Sequence, residues 1–191
     1  MAALGSGVTV TEPTNVTAGD TTPGGVVLAY TAAVSASNYQ ALCATVAPDA
    51  QSDCNKATAG AKPSGTKDTN IEIGYVAVEG NEALVGFTGT NCDPNDSPKC
   101  NTNSDPAAIL SSGKPFDQLY SAAEASVVST TTNGAYSLGP LIQVNGDWYL
   151  NIPDSYFTGS GSGNSGNSGS ATTSGNTGSA TTSGNTGNTG E

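Results

Sequence analysis

The chain has 191 residues, with sixteen acidic and five basic residues for a formal charge of −11, and it contains neither arginine nor histidine. Nucleic acid is bound through clustered basic side chains, so this charge argues against a nucleic-acid partner and against docking on anionic lipid. It favours cationic, neutral or sugar partners. No run of about 18 apolar residues occurs, so we expect no membrane insertion.

The C-terminal part of the chain differs in composition from the rest. Residues 159–190 are only Gly, Ser, Asn, Thr and Ala, and a nine-residue unit occurs twice within residues 170–187. Without large apolar side chains, such a segment cannot offset an ordering entropy of about 1 to 2 kcal/mol per residue. We therefore predict an extended leader at residues 1–20, one domain at residues 21–157 and a disordered tail at residues 158–191.

Four cysteines fall into two close pairs, Cys43 with Cys54 and Cys92 with Cys100. Three pairings are possible, and proximity favours these two. Reduced thiols are the alternative; the spacings do not fit a zinc site, so we expect no metal and no cofactor. Disulfides predict an extracellular or cell-surface protein. Residues 1–8 lack the features of a signal peptide, so we expect a removed targeting segment or another export route.

Two helices are predicted near the start of the domain. Thr22 and Pro23 suit the N-cap and first position of a helix. Apolar residues then recur at helical spacing, at Val26, Val27, Tyr30, Ala33 and Val34. Asn38 can cap a second helix, which Pro48 ends. Residues 50–69 are polar and contain Gly and Pro, and we predict a loop there.

The hydrophobic period then changes to two. This alternation predicts a strand at residues 71–78, a turn at residues 79–82 and a returning strand at residues 83–88. Residues 89–113 form a predicted insertion that carries the second cysteine pair. The leader at residues 8–16 is expected to be either a strand or a linker.

A helix and a hairpin are predicted at the end of the domain. Apolar residues share one helical face at residues 115–127. Strands at residues 136–144 and 148–152 flank an Asn-Gly pair, the favoured sequence of a type I′ turn. Pro140 predicts that the first of these strands lies partly at a sheet edge or at a bulge.

This order of elements resembles the NTF2-like superfamily, whose α+β cone fold wraps a curved antiparallel sheet around N-terminal helices. The similar segments are Val-Val-Leu-Ala-Tyr at 26–30, Ala-Leu-Cys-Ala-Thr at 41–45 and Leu-Ile-Gln-Val-Asn-Gly-Asp-Trp-Tyr-Leu at 141–150. The resemblance covers residues 22–153 and is to exported bacterial members of unassigned function. It implies the cone fold, and for the members that are enzymes it implies an Asp or an Asp/His pair inside the cone.

The residues favour binding over catalysis. Without histidine, the chain lacks the usual base near neutral pH, and we predict no catalytic residue. Asp117 is the best-placed carboxylate, but an Asp in the first turn of a helix ordinarily interacts with the helix dipole. Tyrosines and the single tryptophan can line a pocket for an apolar or sugar ligand, with ordinary core packing as the alternative. The candidate pocket residues are Tyr30, Tyr75, Tyr120 and Trp148.

Three functions remain open from the sequence. The first is a non-catalytic extracellular or cell-surface binding or scaffold domain on a flexible C-terminal stalk. The second is a self-associating subunit of a surface layer or filament, in which the leader pairs onto a neighbouring sheet edge. The third is a small-molecule isomerase or lyase of the NTF2-like kind.

Overall fold

The computed structural model describes residues 4–95, 97–103, 113–128 and 138–158. Residues 159–191 of the predicted tail and residues 104–112 of the predicted insertion lie outside the described residues. The elements, in chain order, are β1 (Thr9–Thr11), α1 (Pro23–Ala36), α2 (Tyr39–Ala44), α3 (Gln51–Thr58), β2 (Lys67–Glu79), β3 (Glu82–Cys92), β4 (Cys100–Asn103), α4 (Phe116–Val128), β5 (Leu138–Val144), β6 (Asp147–Leu150) and α5 (Asp154–Thr158).

The strands form one antiparallel sheet in the order β1-β2-β3-β5-β6. Strand β4 also pairs with β3, along the second half of β3. Helices combined with an antiparallel sheet make this an α+β fold, as predicted.

The sheet has helices on both faces. Because side chains alternate along a strand, Val76 and Val85 point to one face and Tyr75 and Leu84 to the other. The first pair packs in a cluster with residues of α1, α2, α3 and α5, whereas the second packs with α4. The N-terminal helices therefore cover one face of the sheet, and α4 covers the opposite face.

The predicted starts of the first two helices are confirmed. Helix α1 begins at Pro23, and the Thr22 hydroxyl accepts a hydrogen bond from the Gly25 backbone N–H at 3.2 Å. Asn38 caps α2 through its side-chain oxygen, which accepts from the Ala41 N–H at 3.1 Å. Each cap satisfies a donor that the helix leaves unpaired at its start.

The prediction of a loop throughout residues 50–69 is wrong, because residues 51–58 form α3. Ala50 and Cys54 are fully buried against the first core cluster, and the bridge to Cys43 ties α3 to α2. Small buried residues such as alanine and cysteine give a weak periodic signal, so tertiary packing outweighs the polar composition of this segment.

The strands β2 and β3 are longer than predicted, and part of the predicted insertion forms β4. Cys92 in β3 and Cys100 in β4 are register partners, so their bridge closes the ribbon that the two strands form. The leader contains a strand: Thr9 pairs with Val78 and Thr11 with Val76. Strand β1 thus covers part of the edge of β2 in its own chain.

The C-terminal hairpin has the predicted turn, since Asn145 and Gly146 both have positive φ, at 55° and 97°. The partial edge position predicted from Pro140 is found: β5 lies between β3 and β6, but β6 pairs only with residues 141–144 and ends before it reaches Pro140. The Pro140 carbonyl accepts from the Asn151 N–H, just beyond the last residue of β6. The backbone N and O of a strand residue point to the same side of the strand. The N–H that Pro140 lacks would therefore point toward the end of β6, where no residue of that strand needs it as a donor.

Candidate functional site

Both expected disulfides are present in the structure. Cys43 and Cys54 are 1% and 0% exposed between α2 and α3, whereas Cys92 is half-buried and Cys100 is exposed. One bridge therefore belongs to the core and the other to a surface ribbon. Disulfides are typical of oxidising compartments. None of the described helices is both long enough and apolar enough to cross a bilayer.

A groove of about 310 Å³ lies at the start of α1. It is formed by the leader, the loop before α1, the first turn of that helix, and strands β2 and β6. Val76, Val78 and Trp148 line it from the sheet side and belong to the core cluster beneath α1. Its volume is at the lower end of the range of about 300 to 1,000 Å³ for small-molecule sites.

Polar side chains line the other side of the groove, among them those of Asn15, Asp20 and Thr22. The Asp20 carboxylate is held by Thr17, whose backbone N–H donates to one oxygen at 2.8 Å and whose hydroxyl donates to the other at 2.7 Å. Both hydrogen bonds lower the pKa of Asp20, and the bond from the Thr17 backbone has the larger effect. The carboxylate is therefore charged at neutral pH. Asn15 is exposed and has a left-handed backbone, with φ of 59°.

The loop that carries Asp20 packs tightly on the first turn of α1. A Cβ added to Gly25 would overlap the backbone of Asp20. The Gly19 N–H also donates to the Gly25 carbonyl at 3.3 Å. The glycine in the first turn, which lowers helix propensity, is therefore what permits the loop to lie here.

Gly25→Ala is expected to destabilise the protein, although alanine raises helix propensity by about 1 kcal/mol. The added methyl group must displace the Asp20 backbone, so the groove loop shifts together with the loss of stability. Urea denaturation measures the stability, and the chemical shift of the Trp148 indole reports the groove. Ala32→Gly, at an exposed site within α1, gives the propensity difference alone. A gain in stability for Gly25→Ala would contradict the packing.

The sheet lies between two pairs of the predicted pocket residues. Tyr75 and Tyr120 belong to the cluster on the α4 face, whereas Tyr30 and Trp148 pack against the cluster on the α1 face. Of the four, Trp148 lines the groove described above. Asn15 and Asp20 are not among the residues predicted from the sequence, because they lie in a loop and come to line the groove only through the packing of that loop.

Tyr120 is part of a hydrogen-bond network that joins α4 to the sheet. Its hydroxyl donates to the Leu141 carbonyl at 2.9 Å and accepts from the Asn151 amide at 3.0 Å. The same amide donates to Glu124 at 2.6 Å. Burial raises the pKa of Tyr120 well above its ordinary value, so the hydroxyl remains a donor. Its role here is to attach α4 to the sheet.

The carboxylates with raised pKa lie outside the groove lining. Burial raises the pKa of Asp68 on β2, partly opposed by the hydrogen bond from the Asn91 amide at 2.7 Å. The pKa of Glu124 on α4 is raised mainly by burial and to a smaller extent by the negative charge of Glu82. Asp117 is exposed in the first turn of α4.

Asp68→Asn is expected to stabilise the protein at neutral pH by less than about 1 kcal/mol, because water still reaches the side chain. Because the pKa of Asp68 is raised in the folded state, its protonated side chain stabilises the fold. This stabilisation is complete below the unfolded pKa near 3.8 and is lost as pH rises through the folded pKa. The two proteins should therefore converge in melting temperature below that pH. Asp147→Asn, at an exposed carboxylate, controls for the loss of one negative charge. Equal effects of the two substitutions at neutral pH would contradict the burial of Asp68.

Comparison of the chain with protein-family models, with curated proteins and with solved structures gives no match. The groove and the two disulfides are therefore the features of the molecule that bear on its function.

Proposed function

We propose that this chain is a non-catalytic extracellular binding domain whose ligand site is the groove at the start of α1. The observation that carries the proposal is the groove itself, where the half-buried Trp148 meets a polar loop. Two disulfides support an oxidising location outside the cell. In this proposal, residues 159–191, which are rich in Gly, Ser, Thr and Asn, act as a spacer between the domain and a cell surface.

The absence of catalysis is part of the proposal. Among the described residues that line the groove, Asp20 is the acidic one, and its lowered pKa makes it a weak proton acceptor. Asp68 and Glu124, whose raised pKa values suit acid–base chemistry better, are not among those lining residues. The rival isomerase or lyase needs such a carboxylate inside the ligand site, so the geometry favours binding.

We also propose that the domain is an NTF2-like cone. The N-terminal helices pack on one face of an antiparallel sheet, as that fold requires. Helix α4 packs on the opposite face of the sheet. The order of elements includes this helix, but the cone fold that the resemblance implies places only the N-terminal helices against the sheet.

Assembly through the leader is the second candidate function. Since β1 pairs with β2 of the same chain, the leader is already used within one molecule, which favours a binding domain over a polymer subunit. Gel filtration should give a monomer near 19 kDa. Concentration-dependent oligomers that disappear when residues 1–11 are deleted would instead support assembly.

The binding proposal is tested by nuclear magnetic resonance with a chemically mixed fragment library. Trp148 is the single tryptophan of the chain, so the labelled protein has one indole N–H resonance. We expect some fragments at millimolar concentration to shift this resonance. Tyr149→Ala, on the next residue of β6 and therefore on the opposite face, should bind the same fragments. If no fragment of any class shifts the indole resonance, the groove is not a ligand site and the proposal fails.

A further inference from the structure

Resting on the proposed function, we infer that the groove binds a neutral pyranose sugar, either free or as the terminal residue of a glycan. The groove combines an apolar side with Trp148 and a polar side with Asn15, Asp20 and Thr22. A pyranose ring has the matching pair of surfaces, since one ring face presents C–H groups and the rim presents hydroxyls.

The sheet supplies the apolar lining of the groove. Val76 and Val78 alternate onto the same face of β2, and Trp148 lines the groove from β6, which is separated from β2 in the sheet by β3 and β5. The tryptophan is half-buried, so core packing fixes it while part of its surface stays open. An indole held in this way offers contact area without losing further side-chain freedom on binding.

The polar side still has hydrogen-bonding capacity. An ionised carboxylate has about four acceptor sites, and Thr17 uses one on each oxygen of Asp20. The Thr22 hydroxyl accepts from the Gly25 N–H and keeps its own proton for donation. The Asn15 amide is exposed and can both donate and accept. Acceptors and donors side by side suit sugar hydroxyls, which need both.

Charge and ring number argue against two competing ligand classes. Among the lining residues, all within the described part of the chain, there is no lysine to neutralise an anion, and Asp20 repels one. A quaternary ammonium ion is bound in a cage of several aromatic rings, whereas Trp148 is the aromatic residue among those lining this groove. A neutral polar ligand with an apolar face meets both conditions.

The test titrates the labelled protein with methyl pyranosides of glucose, galactose, mannose and N-acetylglucosamine, and with disaccharides of each. Glucuronate and choline serve as the anionic and cationic comparisons. At least one neutral sugar should shift the Trp148 indole resonance, and glucuronate should bind more weakly than the matching glucoside because of Asp20.

Variants then locate the binding, with saturation-transfer difference measured on the sugar signals. Trp148→Ala should weaken binding by at least about tenfold, and Asn15→Gly by about three- to tenfold. Asn15→Gly keeps the left-handed backbone at an exposed position, so it tests the site even if Trp148→Ala does not fold. Tyr149→Ala, the aromatic control on the opposite face, should bind normally.

Three results would overturn the inference, and they differ in what they leave standing. If choline or an unrelated fragment shifts the indole resonance and no neutral sugar does, the sugar class is wrong and the binding function stands. If a sugar binds but Asn15→Gly and Trp148→Ala leave its affinity unchanged, the sugar site lies elsewhere. If neither sugars nor fragments shift the indole resonance, the binding function falls as well.

Discussion

Phe116→Ala is expected to cost about 3 to 5 kcal/mol of unfolding free energy, because it removes the largest fully buried side chain among the residues that the structure describes. Phe116 is 1% exposed, and its ring stacks on Tyr120 with centroids 5.8 Å apart. Its N–H donates to the Leu4 carbonyl at 3.0 Å, so the residue also joins α4 to the leader. The alanine variant leaves a cavity between α4 and Leu84 of the sheet.

Such a loss is a large fraction of the 5 to 15 kcal/mol that stabilises an ordinary domain. Urea denaturation followed by circular dichroism measures it. Gln118→Ala, at an exposed position two residues along α4, should stay within about 0.5 kcal/mol of the parent. If the two variants are equally stable, α4 does not pack on the sheet, and the assignment of helices to both faces is wrong.

Replacing Cys43 and Cys54 together with alanine is expected to cost about 3 kcal/mol. Cross-linking residues this far apart restricts the unfolded chain by about that amount, and the buried bridge also fixes α3 against α2. Without it, α3 keeps its contacts with α5, the buried Ala50 just before its first residue, and the Lys56–Asp53 ion pair near the surface, which contributes little to stability. The variant should therefore lose the α2–α3 region at lower urea concentration than the parent.

The double alanine variant of Cys92 and Cys100 is the matched control. The loop it closes is of similar length, but the bridge lies in an exposed ribbon. Without the bridge, β4 can separate from β3 while the two core clusters remain intact. The bridge therefore adds less to the free energy of unfolding the whole domain. We expect a smaller loss than for the core bridge. The reverse order of stabilities would show that the β3–β4 ribbon, and not the α2–α3 pair, anchors the fold.

The parts of the fold that were predicted correctly have local causes. Thr22 and Asn38 cap helices through hydrogen bonds to residues three positions along the chain, and the Asn-Gly turn fixes its own φ angles. The parts that were missed depend on distant packing. Helix α3 is held by the buried Cys54, and the apolar stripe of α4 predicts a helix without indicating which face of the sheet it covers.

The candidate site was predicted only in part, for the same reason. Trp148 is a predicted pocket residue because its aromatic face can contact an apolar or sugar ligand. Its partners come from a loop more than a hundred residues away, brought to it by the close contact of Gly25 with Asp20. No local pattern in the sequence indicates that contact. Of the tyrosines grouped with Trp148, Tyr75 and Tyr120 pack on the opposite face of the sheet, a separation that the sequence alone does not indicate.

Peptide mapping of the native protein, alkylated without reduction, tests the central claim most directly. The claim is that an exported domain is held together by one buried and one exposed disulfide. We predict no alkylated cysteine, with Cys43 linked to Cys54 and Cys92 linked to Cys100. Four alkylated thiols would contradict the extracellular assignment, and a crossed pairing would contradict the fold.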